Sequence, residues 1–587
     1  MDLRVLHQPY EPFAYALNQT TARIVLLVGR GAVHHVELHS GDRYQMKLQS
    51  CQSMKYVGED GTFDVFEADV EIPTSRLKYT FELKHSAEVR MDPQSDSADE
   101  DMESLWLGES GLSDNSERAG VFQLPYLCQR DVFDVPEWTA NAVCYQIFPE
   151  RFANGDDALT PDGADDWDAD PTQSNMLGGD IPGVREKLNY LADLGVNMIY
   201  FTPIFKAQSN HKYDTSDYYE IDPQFGTKDD FRALVEDAHA RGIRVVLDAV
   251  FNHSGAGFAP FQDVVKNGAA SPYWDWFFIH GERLDTENVN YETFSNQLAG
   301  MPKLNVAHPE VESYLLDVAA YWIREFDIDG WRLDVANEID HVFWRKFRTT
   351  VKAAKPDALI LGEVWHNSLP WLRGDEFDGV MNYLFRDYGL GFLVDKTLTG
   401  TEFAQKLVQL LHLYPVQAAS AGLNLLGSHD TERVLTHAKS DKDAVLRAFT
   451  YQFTYPGIPM VYYGDEIGME GETDPGCRAG MVWDSTKQNL QLRGAVQKLI
   501  QIRRNHPALQ TTELQIVAAT DTYVEYLRRG HDGTAVHVAF NTGDASCHVS
   551  CHGKVLFDSS SVRRSAGAIP GEEADKLSPG ACMIWEP

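Results

Sequence analysis

Charged and amide side chains end several apolar, strand-like runs of this sequence. In DGWRLDVANEID, at 329–340, Arg332 and Asp334 are two residues apart, so a strand would project both from one face. Comparable runs end in Asp248, Asn252, His253, Glu363, His429 and Asp430. If these runs are parallel strands of one barrel, the groups meet at its carboxyl end, where barrel enzymes carry their working residues.

Such a set of groups would suit the cleavage of a glycosidic bond, which uses one ionised and one protonated carboxyl group. The positive charge of Arg332 is expected to lower the pKa of Asp334 and to keep it ionised for nucleophilic attack. Glu363 lies in GEVWH between apolar residues and is expected to hold a proton and act as the acid. Asp430, next to His429, would hold sugar hydroxyls as the ring distorts.

A purely structural role is an equal alternative for Arg332 and Asp334 taken alone, because buried ion pairs occur without any chemical function. Four carboxylates, two histidines and one arginine at the same mouth are much harder to explain in this way. We therefore favour an active site, provided that the fold brings these residues together.

Eight apolar runs between about 140 and 470 alternate with amphipathic helical patterns. In the segment 228–242, Phe231, Leu234, Val235 and Ala238 recur at the spacing of a buried helix face. The strand candidates are VCYQIFPERF, VNMIYFTPIF, RVVLDAVFNH, DGWRLDVA, ALILGEVW, DGVMNYLF, LNLLGSHD and PMVYYGDEIG. This alternation predicts an α/β fold with a closed (β/α)₈ barrel, the TIM barrel.

The sequence on either side of the barrel follows a different pattern. Residues 1–125 contain short alternating runs (ARIVLLVG, VHHVELHS, YQMKLQS, FDVFEADVEI, KYTFELKH), which predict an N-terminal β-sandwich. Residues 506–587 contain YVEYLRR, TAVHVAFN, GKVLFD and ACMIWEP, which predict a C-terminal β-sandwich. The barrel domain would then span 126–505. The long link after its third strand, about 254–307, would form an inserted subdomain beside the site.

The formal net charge of −36 excludes several classes of partner. Binding to nucleic acid or to an anionic membrane depends on clustered Lys and Arg, so we expect neither partner. The first residues, MDLRVLHQPYEPFAYAL, lack the pattern of an export signal, and no run approaches the roughly 18 apolar residues of a membrane span. Seven mostly isolated cysteines are typical of a reducing compartment, so a cytoplasmic protein is expected.

One pair of cysteines has a spacing that also occurs in zinc sites. Cys547 and Cys551 lie in CHVSCH, and each is followed by a histidine. A closed zinc site needs four convergent ligands, and no second ligand pair is nearby in the sequence. We therefore interpret this segment as part of a surface strand.

Four of the runs resemble the conserved motif regions of the α-amylase family of glycoside hydrolases: DAVFNH, GWRLDVANE, GEVWH and LLGSHD. MPKLN at 301–305, the VANE of the second motif and the leading sandwich resemble its cyclomaltodextrinase, maltogenic amylase and neopullulanase branch. The resemblance covers nearly the whole chain. It implies a retaining hydrolase of α-1,4-glucosidic bonds in cyclodextrins, maltooligosaccharides and pullulan, which also transfers glycosyl groups.

The resemblance also implies roles for single residues. Asp334 would be the nucleophile, Glu363 the general acid/base and Asp430 the stabiliser of the transition state. Sugar contacts would come from His211, Tyr213, His253, Phe294, Arg332, Glu338, Trp365, His429, Asp474 and Arg478, joined by Asp248 and Asn252 at the end of the third strand. Core packing remains the alternative for the aromatic members of this set.

Some relatives bind calcium where the first barrel strand ends, and this chain departs from their pattern. Asn154, Asp156, Gly178 and Asp180 are present, but Leu159 and Thr160 replace two oxygen ligands. Because calcium takes 6 to 8 oxygen ligands, three outcomes are open for this site: it is empty, it binds calcium weakly, or water completes the shell. We expect that no cofactor is required.

In this branch of the family, two subunits exchange the leading sandwich over the barrel mouth. The resemblance therefore implies a homodimer in which Tyr44, in GDRYQ, reaches the partner's sugar site.

Two alternatives to a hydrolase of this branch remain at this point. One is a non-catalytic barrel that serves as an interaction protein, and the other is a sucrose- or trehalose-type enzyme that transfers glucosyl groups.

Overall fold

The centre of the molecule is a parallel barrel of eight strands. The computed structural model describes residues 3–86, 102–295, 297–549, 553–563 and 576–587. The barrel strands are Cys144–Ile147, Met198–Phe201, Arg244–Ala249, Gly330–Leu333, Leu359–Gly362, Gly379–Val380, Leu423–Leu425 and Ile458–Tyr462. A parallel bridge between Met381 and Leu423 closes the ring between the sixth and seventh strands. All eight predicted strands are confirmed.

Helices surround the barrel. The α-helices of this domain are Pro149–Phe152, Ile181–Glu186, Leu188–Leu194, Lys228–Ala240, Ala259–Asn267, Pro309–Phe326, His341–Ala354, Tyr383–Leu393, Gly400–Leu411, Val416–Ala421, Val434–His437, Lys442–Thr454 and Leu490–Asn505. Phe231, Leu234, Val235 and Ala238 form the buried face of Lys228–Ala240, as predicted. The fifth strand departs from the repeat, because the described chain leads from it to the sixth strand through a 3-10 turn at Leu369–Trp371.

The barrel strands are apolar on both faces because each face is covered. One face packs on the surrounding helices, and the other fills the barrel interior. The interior cluster includes Cys144, Met198, Tyr200, Leu361 and Met460, all of which are buried. Polar groups are therefore found mainly where the strands end.

The link after the third strand folds as a small subdomain, as predicted. It contains the helix Ala259–Asn267 and is held together by bridges that pair Phe277 with Leu304 and Ile279 with Tyr291. A further bridge between His253 and Lys303 joins it to the end of the third strand. The subdomain therefore lies directly beside the carboxyl end of the barrel.

The N-terminal domain is a sandwich of two antiparallel sheets. Its strands are Val5–Leu6, Ala14–Asn18, Thr21–Gly29, His35–Gly41, Ser50–Ser53, Lys55–Glu59, Phe63–Glu71, Lys78–Ser86, Met102–Gly108, Gly111–Ser113 and Phe122–Gln123, with a short helix at Ser116–Ala119. The prediction of a strand over YQMKLQS is wrong. Tyr44 lies in a turn that bonds to Asp42, and Met46 is 100% exposed, so this run has no buried face.

The C-terminal domain consists of a five-stranded antiparallel sheet and a two-stranded one. The strands are Leu514–Ala519, Tyr523–Arg529, Ala535–Asn541, Cys547–His548, Lys554–Asp558, Lys576–Leu577 and Cys582–Glu586, and one helix spans Ser559–Arg563. Cys547 begins one of the short strands, whereas Cys551 lies outside the described residues. The interpretation of CHVSCH as a surface strand stays a prediction.

The N-terminal sandwich packs against the outer helices of the barrel. The backbone N–H of Val416 donates to the hydroxyl of Tyr15 at 3.2 Å, and Gln417 donates to the carbonyl of Ala16 at 2.8 Å. The sandwich thus contacts the helical wall of its own barrel at the sixth barrel repeat.

Candidate active site

Arg332, at the end of the fourth strand, contacts three carboxyl groups from three strands. Its Nη1 donates to Asp334 Oδ1 at 2.8 Å and to both oxygens of Asp248 at 3.0 Å. Its Nη2 lies 3.0 Å from Glu363 Oε1, as an ion pair rather than an aligned hydrogen bond. The predicted convergence of the third, fourth and fifth strand ends is therefore present in the structure.

Asp248 connects this cluster to the first and seventh strands. Its Oδ2 accepts hydrogen bonds from the hydroxyls of Tyr200 at 2.7 Å and Tyr213 at 3.0 Å. The hydroxyl of Tyr213 also lies 2.5 Å from His429 Nε2, and the two rings are stacked. His429 in turn contacts Gln146 of the first strand at 2.8 Å. Asp248 and Arg332 therefore form the floor that holds the other groups in place.

Burial raises the pKa of Asp334 above its ordinary value. Arg332 opposes this rise, while the neighbouring Glu363 and Asp248 add to it. The prediction that Arg332 lowers the pKa of Asp334 overall is wrong, because it considered only the residue two positions away. The pKa of Asp248 is raised as well, because its burial outweighs the effect of the same guanidinium.

The imidazoles at the site are neutral at neutral pH. Burial lowers the pKa of His253 to about 3 and that of His211 to about 4. Burial also lowers the pKa of His429 well below its ordinary value, and Arg478 lowers it further. A neutral imidazole has one donor and one acceptor nitrogen, which suits contacts with sugar hydroxyls.

Asp430, after the seventh strand, lies beside Arg478. Nη2 of Arg478 donates to Asp430 Oδ1 at 3.3 Å, and its Nη1 lies 3.0 Å from Asp474 Oδ1. Burial raises the pKa of Asp430, against the effect of Arg332 and Arg478. The DPGCR segment therefore closes this side of the site, next to the third carboxylate.

The groups open into a cavity of about 450 Å³ at the barrel mouth. Predicted residues that line it are His211, Tyr213, His253, Phe294, Asp334, Glu363, Trp365, Asp430, Asp474 and Arg478. The sequence analysis missed five others: Gln173, Leu298, Met301, Val335 and Asn337. Asn337 lies in the VANE segment, which was a usable signal, whereas Gln173 comes from a loop without a recognisable pattern.

Two aromatic contacts shape the cavity wall. Phe294 of the inserted subdomain stacks on His253 with ring centroids 4.8 Å apart. Trp365 stacks on Tyr383 at 3.7 Å and is 48% exposed, so it is not a core residue. The Trp365 indole N–H also donates to Glu363 Oε1 at 3.1 Å. These rings offer apolar faces on which sugar rings can pack.

Six predicted sugar-contact residues do not line the cavity. Two of them are the pair Asp248 and Arg332 described above, and the other four are Asn252, Glu338, His429 and Tyr44. His429 is buried behind Tyr213, and Asn252 accepts a hydrogen bond from Lys303. Glu338 bonds the same Lys303 through its carboxylate at 2.9 Å. Lys303 is the lysine of MPKLN, and its bridging position was not predicted. Tyr44 lies in the N-terminal sandwich, 76% exposed, with Arg43 and Arg76 over its ring.

The residues of the predicted calcium loop do not fit that ion. Asp180 Oδ1 accepts hydrogen bonds from the backbone N–H groups of Gly155 and Gly183, and its Oδ2 accepts one from Asp156. The side-chain amide of Asn154 donates to Thr160 at 2.7 Å. These groups hold the loop and cap the helix Ile181–Glu186. Asp180 is thus engaged by three backbone N–H groups, and Leu159 adds no side-chain oxygen toward the 6 to 8 that calcium takes.

Comparisons with known proteins agree with this geometry. Residues 146–538 match the family model of the α-amylase catalytic domain, and residues 1–128 match that of its N-terminal Ig-like domain. A cyclomaltodextrinase of Geobacillus thermopakistaniensis is 48% identical over 92% of this chain and 91% of the relative. Neopullulanase 2 of Thermoactinomyces vulgaris is 46% identical over 86% of this chain and 85% of the relative. A solved cyclomaltodextrinase structure gives a TM-score of 0.89 at 42% identity and covers 99% of both chains.

These relatives are glycoside hydrolases, so the alternative of a non-catalytic barrel is wrong, and none of them is a sucrose- or trehalose-type enzyme. The predicted resemblance to the cyclomaltodextrinase, maltogenic amylase and neopullulanase branch is confirmed. With the cavity, the carboxylate cluster and the family models taken together, the chain belongs to the α-amylase family of glycoside hydrolases.

Proposed function

We propose that this enzyme hydrolyses α-1,4-glucosidic bonds of cyclodextrins, maltooligosaccharides and pullulan with retention of configuration, and that it also transfers glycosyl groups to sugars. The position of Arg332 between Asp334 and Glu363 carries the proposal. One guanidinium contacts both carboxyl groups at 2.8 and 3.0 Å, so they face a single small space. The names of the relatives supply the substrate class.

In the first step, a carboxylate oxygen of Asp334 attacks the anomeric carbon and forms a glycosyl–enzyme bond. Glu363 gives its proton to the glycosidic oxygen as the bond to the leaving sugar breaks. In the second step, Glu363 takes a proton from water, and the oxygen of this water attacks the anomeric carbon and releases Asp334. When a sugar hydroxyl takes the place of water, the same step produces transfer.

The surrounding residues would act by binding and orientation. Asp430 and the neutral imidazole of His253 would contact hydroxyls of the sugar whose bond is cleaved. His429, whose two ring nitrogens contact Tyr213 and Gln146, would orient Tyr213. Tyr213 would pack against this sugar, because its ring is fixed by hydrogen bonds at its hydroxyl. Asp474 and Arg478 would hold the preceding sugar, and Phe294 and Trp365 would hold the leaving group.

A rate comparison on β-cyclodextrin, pullulan and soluble starch tests this proposal. We expect the enzyme to cleave all three substrates and to prefer cyclodextrin to starch. Glu363→Gln is the control, and it should lose activity on each of them. The proposal fails if none of the three is cleaved faster by the wild-type enzyme than by this variant.

We further propose a homodimer in which the sandwich of one subunit covers the barrel mouth of the other. Tyr44 supports this arrangement because it is exposed, has the guanidinium groups of Arg43 and Arg76 over its ring and is not part of its own subunit's cavity. Sedimentation should give a dimer. Tyr44→Ala should lower kcat/KM for β-cyclodextrin several-fold more than for maltotriose, at an unchanged unfolding temperature. A monomer with an intact cyclodextrin preference would contradict the model.

We also propose that the enzyme works in the cytoplasm. The six cysteines within the described part of the chain are free thiols, which is the state expected in a reducing compartment. Within the same residues, no helix is long and apolar enough to cross a membrane. Fractionation of the source cells, followed by an assay of the soluble fraction, tests the location.

A further inference from the structure

Four side chains with metal-binding atoms share the outer face of one sheet in the N-terminal sandwich. Glu37 and His39 are two residues apart in the strand His35–Gly41, so they point the same way. Across the ladder, His39 pairs with Cys51 and Glu37 pairs with Glu82. Directly paired residues lie on the same face of a sheet, so strand register alone brings the four together.

The distances between these atoms are close to those of a tetrahedral metal site. His39 Nε2 lies 3.1 Å from Glu82 Oε2, 3.7 Å from Cys51 Sγ and 4.0 Å from Glu37 Oε2. One ligand atom from each of Glu37, His39 and Cys51 can be chosen so that all lie within 4.8 Å of one another. Zinc bond lengths of about 2.0–2.3 Å imply tetrahedral edges of about 3.3–3.8 Å.

We propose that Glu37, His39, Cys51 and Glu82 form a zinc site on the N-terminal sandwich. One thiolate, one imidazole and two carboxylates are a ligand set that zinc accepts. When the metal binds, the thiol of Cys51 releases its proton to solvent and the sulfur becomes a ligand. Four protein ligands leave no open coordination position, so the site is structural. It ties together three strands, His35–Gly41, Ser50–Ser53 and Lys78–Ser86.

Two neighbours of the cluster affect metal binding. Trp106 packs beside His39, with ring centroids 4.9 Å apart, and the ammonium group of Lys84 competes with a metal for Glu37. Cys51 is exposed, so a metal ion can reach the cluster from solvent. Lys84 Nζ lies 2.9 Å from Glu37 Oε2 and neutralises part of the negative charge. The Lys84 side chain is 30% exposed and can turn into solvent when a divalent cation takes its place. The alternative to a metal is a hydrogen-bonded ion-pair patch around Lys84.

Cobalt(II) titration of the full-length, metal-free protein distinguishes the two, because Co²⁺ substitutes for zinc and its bond to a thiolate absorbs in the near ultraviolet. We expect one equivalent of Co²⁺ to give this absorption together with the visible bands of tetrahedral Co²⁺, and zinc to abolish both. Cys51→Ser should remove the thiolate absorption. The control Cys547→Ser, a half-buried cysteine in the C-terminal domain, should leave it unchanged.

Two further variants sharpen the result. Lys84→Met removes the competing cation and should lower the zinc Kd several-fold, whereas His39→Ala should raise it at least tenfold. Zinc at 100 times its Kd should shift the unfolding equilibrium of the sandwich about 100-fold toward the folded state in wild type. The proposal is overturned if the cobalt spectrum is absent, or if the thiolate absorption persists in Cys51→Ser.

Discussion

Arg332 lies between Asp334 and Glu363, with Nη1 at 2.8 Å from one carboxylate and Nη2 at 3.0 Å from the other. The two carboxyl groups therefore occupy neighbouring positions around the same guanidinium. In retaining glycosidases such groups are about 5–5.5 Å apart, which is too close for an attacking water between them.

This arrangement predicts the stereochemistry of the product. Proton NMR of the maltose released from a cyclodextrin should show the α anomer first, with the β anomer growing in only by mutarotation. Initial appearance of the β anomer would rule out a nucleophilic role for Asp334.

Substitution of Glu363 and substitution of Asp334 should differ in how strongly the rate loss depends on the leaving group. Glu363→Gln should lower kcat on maltotriose by about 10²–10⁴-fold, because the leaving sugar needs the proton that general acid catalysis supplies. It should affect formation of the glycosyl–enzyme from α-maltosyl fluoride much less, since fluoride leaves without a proton. Asp334→Asn should be inactive on both substrates. Equal losses for Glu363→Gln on the two would contradict its role as the acid.

Lys303 links Asn252 to Glu338, so it should influence the acceptor. Glu338→Ala and Lys303→Met both break this link, and each should change the ratio of hydrolysis to transfer at high maltose while leaving a measurable rate. Glu292→Gln, an exposed change in the same subdomain, is the control. If both variants give the product distribution of wild type, the contacts of Lys303 with Asn252 and Glu338 are only structural.

Asp180 and Asp156 should differ in their effect on stability. Asp180 accepts three backbone hydrogen bonds and caps a helix, so Asp180→Ala should cost about 1–3 kcal/mol. Asp156→Ala should cost less, because its Oδ1 bonds only the N–H of the nearby Ala158. Millimolar Ca²⁺ should leave the Tm of both variants and of wild type unchanged. A Ca²⁺-dependent rise in Tm that Asp156→Ala abolishes would show a calcium site.

The N-terminal sandwich should lose stability in mild acid because of His7. Burial lowers the pKa of this histidine to about 4, and its ring contacts the carbonyl of Val25 and the hydroxyl of Tyr79. The unfolded chain, with a histidine pKa near 6.5, binds the proton first as the pH falls. Stability is therefore complete above about pH 6.5 and declines by about 3 kcal/mol by pH 4.

Hydrogen exchange of peptides from residues 3–86, followed at pH 7, 5.5 and 4.5, measures this effect after correction for the intrinsic pH dependence of exchange. His7→Gln should reduce the acid sensitivity of the sandwich, and the exposed His34→Gln should not. Equal acid sensitivity in all three proteins would show that His7 is not the responsible group.

The barrel could be predicted because its strands carry a strong signal. Runs such as VNMIYF are apolar on both faces, and the positions after them place Asp334, Glu363 and Asp430 at one mouth without further information. The wall of the site could not be predicted in the same way. Gln173 and Leu298 reach the cavity from irregular loops, whose path depends on tertiary packing.

The prediction that the pKa of Asp334 is lowered was wrong for a related reason. The pKa of Asp334 depends on its burial and on Asp248 and Glu363, which are distant in sequence. The proposed zinc ligands show the same limit, because Glu37, His39, Cys51 and Glu82 have no recognisable spacing and meet only through strand register. CHVSCH, by contrast, has the spacing of a zinc site, but residues 550–552 lie outside the described part of the chain.

The inserted subdomain joins the barrel as a separate unit, yet it supplies Phe294, Leu298 and Met301 to the cavity. The three carboxylates that we propose as catalytic are all on the barrel. Part of the cavity wall is thus encoded by a stretch of the gene that is separate from those that encode these carboxylates. A chimaera that exchanges residues 254–307 with those of a relative should inherit the donor's preference among glucans and keep the recipient's chemistry.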